Sequence, residues 1–268
     1  MIWPAVITAT ILLSIYAVAA VLMLRSMADR RLAPFAAALA LTALIVHSNA
    51  IMHMMRANGP FSIGLLEAIS LLAWTLAVLA ILISFERQNR VLAGILLLCA
   101  GAGSLATSAS HTYAEATAPG WELTAHILLS MGAAALLFAA AVAAILNVVV
   151  DQRLRSRRIA DLPRYLPPLE ELEKVMFRLI GTGLILLTLA LFTGFVFVHD
   201  LFAQHLAHKT ILSLAAWTVF AVLLVGRIRY GWRGRAAVYC TLAGFVTLAL
   251  AYFGSKFVLE YLLGRHWG

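Results

Sequence analysis

Histidine is the residue type in this sequence whose placement points most directly to chemistry. A neutral imidazole ring binds metals through one of its nitrogens. The chain contains eight histidines: His47, His53, His111, His126, His199, His205, His208 and His266. Two of them, His205 and His208, stand three positions apart, which puts them on one face of a helix. This residue type and spacing indicate a site for a metal or a metal-containing cofactor.

Methionines beside one histidine give a specific alternative. His53 lies in the run 52–55, whose other three residues are methionines, and imidazole nitrogen together with thioether sulfur suits a soft metal such as copper. A non-haem copper site would combine this run with His205 and His208. Methionine in an apolar segment also serves as ordinary packing, so the sequence leaves the copper interpretation open.

Common catalytic motifs do not add further candidate site residues. The chain has no G-x-S-x-G, H-E-x-x-H or P-loop motif. A metal hydrolase built on His199, Asp200, His205 and His208 is the enzymatic alternative, but no motif places a general base beside them. Whether the chain is an enzyme therefore stays open.

The composition indicates where these residues must be held. The chain has 268 residues, of which 63% are hydrophobic and 12% charged, with a mean hydropathy of +0.95. A soluble domain has about 25% charged residues. These values exclude a disordered chain, a secreted disulfide scaffold and an ordinary soluble enzyme, and they predict a polytopic membrane protein. The net charge of +8 is attributed to loops at the membrane surface, with no nucleic-acid partner expected.

Hydropathy predicts an all-α fold. A hydrocarbon core about 30 Å thick is crossed by about 20 apolar residues in a helix. The segments that meet this requirement are, roughly, 3–24, 33–55, 63–85, 91–110, 122–149, 175–198, 207–228 and 236–263. We expect a bundle of about eight transmembrane helices that forms a single domain over residues 1–268.

Basic residues predict the orientation, because cytoplasmic loops of membrane proteins are enriched in Lys and Arg. Most of the 20 basic residues follow the odd-numbered segments: Arg25, Arg30, Arg31, Arg87, Arg90, Arg153, Arg155, Arg157, Arg158, Arg164, Lys174, Arg227, Arg229, Arg233 and Arg235. Both termini are therefore predicted to be non-cytoplasmic. Every histidine then falls in the outer half of a span or in an outer loop.

Two local patterns refine this arrangement. His126 lies in the first turn and a half of the fifth segment, and His266 at the far end of the eighth, so the two could face each other across one outer pocket. Pro167 and Pro168 precede the acid-rich stretch 169–174. Proline followed by acids is typical of a helix start, so this stretch begins the sixth segment or a short amphipathic piece leading into it.

Several motifs resemble the CcsA/CcmC cytochrome c assembly superfamily. Its tryptophan span, R-x-x-x-GWRGRRAA loop, GF and YFG motifs have counterparts at residues 217–221, 227–237, 244–245 and 252–254. Its W-x-L-x-x-H-I-x-L-S motif is matched by Trp121, Leu123, His126, Ile127 and Ser130. Residues 166–178 and 202–205 resemble the YpjD branch in particular. The resemblance is strongest over residues 121–254.

This resemblance implies haem handling at the outer membrane face during cytochrome c maturation. Members hold haem iron between two histidines that flank a tryptophan-rich loop. His126 matches the first histidine, with Trp121 preceding it in the same motif. His266 lies about one helical turn beyond the place of the second.

Two departures from the family pattern bear on the ligands. Residues 199–210 contain no tryptophan, although they occupy the place of the tryptophan-rich loop. Gly226 stands where CcsA-type proteins carry an intramembrane histidine. His205 or His208 is therefore a substitute candidate for the second iron ligand.

Three functional interpretations follow. The first, implied by the resemblance, is a haem b-binding protein of the bacterial inner membrane that takes part in cytochrome c biogenesis. Membrane lipid and other cytochrome c maturation components are its expected partners. The second is the non-haem copper protein. The third is an accessory assembly protein whose haem site is degenerate. The oligomeric state is not predicted.

Overall fold

A computed structural model describes residues 3–57, 64–109, 120–155, 168–197 and 204–254. Over these residues the regular structure is helical. The eight long helices are α1 (Trp3–Arg25), α2 (Leu32–Ala57), α3 (Leu65–Ser84), α4 (Arg90–Ser104), α5 (Trp121–Arg155), α6 (Leu169–Phe197), α7 (Gln204–Tyr230) and α8 (Arg235–Ala249). Short 3₁₀ turns flank α4, at Arg87–Asn89 and Leu105–Ala109.

The predicted number of membrane spans is confirmed. The structure contains eight helices, counted over the described residues, that are long and apolar enough to cross a membrane. The chain is therefore a multi-pass, all-α membrane protein. The predicted eighth span, 236–263, begins within one residue of α8, which ends at Ala249 and passes into a π-helical turn over Leu250–Gly254. The rest of that prediction, up to residue 263, lies outside the described residues.

Helix α5 is longer than hydropathy alone predicts. It has 35 residues, which corresponds to about 50 Å at 1.5 Å per residue. Its last turn contains Arg153 and Arg155, and Arg155 forms an ion pair with Asp151 at 2.9 Å. The helix therefore continues past the apolar segment into a charged stretch, which a search for apolar residues cannot detect.

Helix α6 begins where its sequence signals place it. Pro168 immediately precedes the first helical residue, Leu169, and Glu170 and Glu171 lie in the first turn. The amide of Glu171 donates to the Pro168 carbonyl at 3.0 Å, and Lys174 pairs with both glutamates. The acid-rich stretch is thus the start of the membrane-crossing helix itself rather than a separate amphipathic piece.

The helices form two compact units, α1–α4 and α5–α8. Within each unit, neighbours along the chain are neighbours in space, and the first helix also contacts the fourth. Thus α1 and α3 each contact α2 and α4, whereas α5 and α7 each contact α6 and α8. In the second unit this up-and-down order brings the start of α5, the end of α6 and the start of α7 to one end, which we call the His126 end.

Candidate functional site

His126 is held against α6 by a hydrogen bond across the second unit. Its Nδ1 lies 3.1 Å from the Thr193 hydroxyl oxygen, 67 residues further along the chain. The Thr193 hydroxyl donates its own proton to the Ala190 carbonyl at 3.0 Å. Because a threonine hydroxyl has one proton, a Thr193 hydroxyl that donates to Ala190 is left to accept at His126, and in this assignment Nδ1 carries the ring proton.

This tautomer decides what the imidazole can do. A neutral ring protonated at Nδ1 keeps an electron pair at Nε2. Metal-ligating histidines characteristically donate the other ring N–H to a protein oxygen, which fixes the tautomer and the ring orientation. His126 and Thr193 have this arrangement. The His126 ring is half-buried, so it is neither sealed in the core nor fully in solvent.

Gly194 brings the ring close to the α6 backbone. A Cβ atom at this position would lie 3.1 Å from Cε1 of His126 and 3.6 Å from Nδ1, which is tighter than most packed contacts. Glycine therefore allows the imidazole to lie flat against the helix beside its Thr193 partner. The adjacent pair Thr193-Gly194 positions the ring by one polar and one steric contact.

A third helix contributes to the same end of the unit. Ser130, one turn after His126 on α5, is 4% exposed. Its hydroxyl lies near that of Tyr252, which lies in the π-helical turn following α8. Single π-helical turns occur frequently at functional sites. Helix α8 also packs on α5, so its end lies beside the face of α5 that carries His126.

The structure describes the other predicted cofactor-binding residues only in part. Trp121 lies in the first turn of α5 and is 73% exposed. Trp121 is five residues before His126, so the two side chains leave α5 in directions about 140° apart. They therefore lie on different faces of the helix. His205 and His208 lie in the first two turns of α7, at the His126 end. Their side chains, and the whole of His266, are outside the described part of the structure.

The alternative metal sites find little support. Met54 is 5% exposed and packs in the core of the first unit, whereas Met52 is 54% exposed and His53 is exposed, so Met52 and Met54 do not share a face. The side chain of Met55 lies outside the described part of the structure. Among the described residues, no three His, Cys, Asp or Glu side chains form a metal-binding group. His199 and Asp200 of the hydrolase alternative lie outside those residues.

His47, counted with the outer histidines in the sequence, has a different environment. It is 0% exposed. Its Nδ1 lies 3.3 Å from the Tyr16 hydroxyl and its Nε2 lies 3.1 Å from the Ser70 hydroxyl. Both ring nitrogens are thus occupied by protein groups on α1 and α3. The sequence shows neither contact, because the partners are 31 and 23 residues away along the chain.

The turn between α7 and α8 carries the motif that resembles the family most closely. Gly231 and Gly234 both have φ of +67°, a backbone conformation that favours glycine. The turn folds Trp232 back onto α7, where its amide donates to the Gly226 carbonyl at 3.1 Å. A Cβ at Gly226 would lie 2.5 Å from the Trp232 ring. The position of the family's intramembrane histidine is therefore covered by an indole.

Comparison with known proteins places these features in a family. The family model for cytochrome c assembly proteins matches residues 35–263. The inner membrane protein YpjD of Escherichia coli K12 is 42% identical over 149 residues, which are 56% of this chain and 55% of YpjD. The matched stretch thus spans about half the length of that relative.

Two further relatives extend the comparison. An uncharacterized 28.8 kDa protein of Azospirillum brasilense is 36% identical over 191 residues, 70% of each chain. The cytochrome c biogenesis protein CcsA of Gloeobacter violaceus is 32% identical over 100 residues, 37% of this chain and 30% of that one. No solved structure matches the chain. The family match covers most of the sequence, and the chain belongs to the cytochrome c assembly protein family.

Proposed function

We propose that this protein binds haem b through His126 and handles it during cytochrome c biogenesis in the bacterial inner membrane. The single observation that carries the proposal is the arrangement of His126, whose Nδ1 is bound to Thr193 so that Nε2 is the nitrogen available to iron. Family membership and the name of the CcsA relative support the choice of haem as the ligand.

The donor set at the His126 end fits haem. Imidazole is a common axial ligand of haem iron. His205 and His208 lie at the start of α7, at the same end of the unit as His126, and one of these or His266 would be the second ligand. Iron held by two histidines has no open coordination position, so bound haem would supply electron exchange or be passed on, rather than activate oxygen.

The protein's own residues would perform three tasks in this site. Thr193 fixes the tautomer of His126 and holds the ring orientation. Gly194 sets the distance between the ring and α6. Ser130 and Tyr252, which lie near each other, would bring the end of α8 to the side of the site that α5 forms. Each task can be changed by substitution without removing the proposed ligand.

An optical titration tests the proposal. Detergent-purified full-length protein is mixed with increasing hemin, and the Soret band is followed for the wild type, His126→Ala and His53→Ala. His53 is the matched control because it is an exposed histidine on α2. We expect a saturable Soret band in the wild type and His53→Ala, and loss of that band in His126→Ala.

The same titration identifies the second ligand, and elemental analysis together with hemin loading separates the competing functions. Among His205→Ala, His208→Ala and His266→Ala, one variant should convert the spectrum from a six-coordinate to a five-coordinate form. Stoichiometric copper without porphyrin in elemental analysis would instead favour the copper protein. A wild-type protein that cannot be loaded with hemin and also lacks metal would favour the accessory protein with a degenerate site.

A further inference from the structure

The lipid-facing side of α7 carries a groove that the haem proposal does not use. The groove has a volume of about 310 Å³, near the lower end of ligand-pocket volumes of roughly 300–1,000 Å³. Its lining includes Trp217, Val222, Val225, Gly226, Tyr230 and Trp232, and we call it the tryptophan groove. From Trp217 to Tyr230 it follows about 20 Å of α7.

Two polar groups along this groove, on Trp217 and Thr218, are hydrogen-bonded within the protein. The Trp217 indole donates to the Thr188 hydroxyl at 2.9 Å, and the Thr218 hydroxyl donates to the Leu214 carbonyl at 2.8 Å. Val222 and Val225 are 52% and 54% exposed. The walls therefore offer apolar contact and few free hydrogen-bonding groups, which suits a hydrocarbon chain better than a polar molecule.

The α7–α8 turn closes one end of the groove, and the glycines in and beside this turn allow it to do so. The Trp232 ring lies on Gly226, where any larger residue would collide with it, and Gly231 and Gly234 provide the left-handed backbone that returns the chain. The groove thus ends at an indole supported by the helix, beside the exposed ring of Tyr230. Tryptophan and tyrosine are enriched at the boundary between hydrocarbon and headgroups.

Arginines flank the residues of this closed end along the chain. Arg229, Arg233 and Arg235 are exposed, and within the described residues none of the three forms an ion pair. Arg227 differs, because it pairs with Glu173 at 3.1 Å and lies 4.7 Å above the Phe177 ring. Three arginines without carboxylate partners are thus available where headgroups lie, and arginine binds phosphate well.

From this combination we infer that the tryptophan groove is a binding site for one anionic phospholipid. An acyl chain lies along α7 between Trp217 and Trp232. The phosphate and the anionic headgroup lie against Arg229, Arg233 and Arg235. A zwitterionic lipid fills the groove equally well but gains less from the arginines, so the site distinguishes lipids by headgroup charge. This inference does not depend on haem binding.

Tryptophan quenching by brominated lipids tests this site in the full-length protein. The protein is reconstituted in phosphatidylcholine vesicles that contain an equal mole fraction of either brominated phosphatidylglycerol or brominated phosphatidylcholine, with bromine near the headgroup end of the chains. We expect the phosphatidylglycerol form to quench tryptophan fluorescence about twofold more strongly at low ionic strength, because basic residues at the membrane surface attract anionic lipid. High salt should reduce the difference.

Matched variants separate this site from general attraction to a basic surface. Replacing Arg229, Arg233 and Arg235 together by glutamine should abolish the preference. Arg25, Arg30 and Arg31 are also exposed. Replacing these three by glutamine removes the same number of charges elsewhere in the chain and should leave the preference for anionic lipid unchanged. Equal quenching by the two lipids in the wild type, or a preference that survives the first triple substitution, would overturn the inference.

Discussion

His47 and His126 are the same residue type in two four-helix units, and their surroundings differ in one respect that matters for function. Both ring nitrogens of His47 contact hydroxyl groups of neighbouring helices, and the side chain is 0% exposed. His126 has one nitrogen fixed by Thr193, and its ring is only half-buried. A histidine with both nitrogens occupied holds helices together, whereas one with a single anchored nitrogen can bind a ligand.

The effect of removing each imidazole ring on stability and on ligand binding follows from this difference. A polar group in the apolar interior must have a hydrogen-bond partner, and leaving one without costs about 1–3 kcal/mol. Substituting His47 would leave the Tyr16 and Ser70 hydroxyls without the contacts they make now. Substituting His126 would affect Thr193, whose hydroxyl keeps its bond to Ala190. We therefore expect the first change to reduce stability and the second to reduce ligand binding.

The largest stability effect is expected for His47→Ala. It removes a fully buried ring and its two contacts, so the free energy of unfolding in detergent should fall by about 3 kcal/mol. Denaturant unfolding followed by circular dichroism measures this, with His53→Ala as the control that changes little. Haem affinity of the folded fraction should stay at the wild-type value. A stable His47→Ala protein that has lost haem would reverse the roles assigned to the two histidines.

Thr193→Val should weaken haem binding by roughly 10- to 100-fold, the usual range for loss of a group that orients a metal ligand. The hydroxyl that fixes Nδ1 is removed while the size of the side chain is kept. Hemin titration gives the affinity. Thr193→Ser, which retains the hydroxyl, should remain near the wild type, as should Thr182→Val, whose hydroxyl contacts only its own helix. Equal affinities in Thr193→Val and Thr182→Val would remove Thr193 from the site.

Gly194→Ala tests the close packing of the His126 ring against α6. The added methyl group would lie 3.1 Å from the His126 ring and should displace it, which we expect to lower haem affinity by about tenfold, or about 1.4 kcal/mol. Gly181→Ala is the matched control, because it is also within α6 and a Cβ there meets nothing within 4 Å. If both variants bind haem alike, the close approach of the ring to α6 has no functional role.

The smallest effect is expected for Tyr16→Phe. It removes one of the two hydrogen bonds to His47 and leaves the ring packing unchanged, so stability should fall by about 1 kcal/mol. The same unfolding measurement used for His47→Ala detects this change. A loss as large as that of His47→Ala would mean that Tyr16 contributes more than this one contact.

Much of the fold was predictable because membrane spans have a strong sequence signal. Twenty apolar residues must form a helix to satisfy their backbone groups in lipid, so eight spans could be recognised one at a time. The start of α6 was predictable as well, from Pro168 and the acids after it. The continuation of α5 to Arg155 and the π-helical turn after α8 were not, because neither changes the apolar composition in a distinctive way.

The site was predictable only in part, for a related reason. His126 could be singled out as a candidate because its motif is local in the sequence, and its role as a ligand stays a prediction. Thr193 and Gly194 sit within an apolar span and acquire meaning only when α6 packs on α5. Likewise, the sequence around His47 does not show that both of its ring nitrogens are occupied, since its partners Tyr16 and Ser70 are supplied by other helices. Contacts between distant segments decide which histidines remain available for binding.

Imidazole rescue of a His126→Gly variant tests the central claim, that Nε2 of His126 binds haem iron, most directly. The substitution leaves room for a free imidazole molecule beside Thr193. The account predicts that this variant with hemin alone lacks the six-coordinate spectrum of the wild type, and that the six-coordinate spectrum is restored when imidazole is added. A variant that binds hemin like the wild type without imidazole would contradict the assignment of His126 as the ligand.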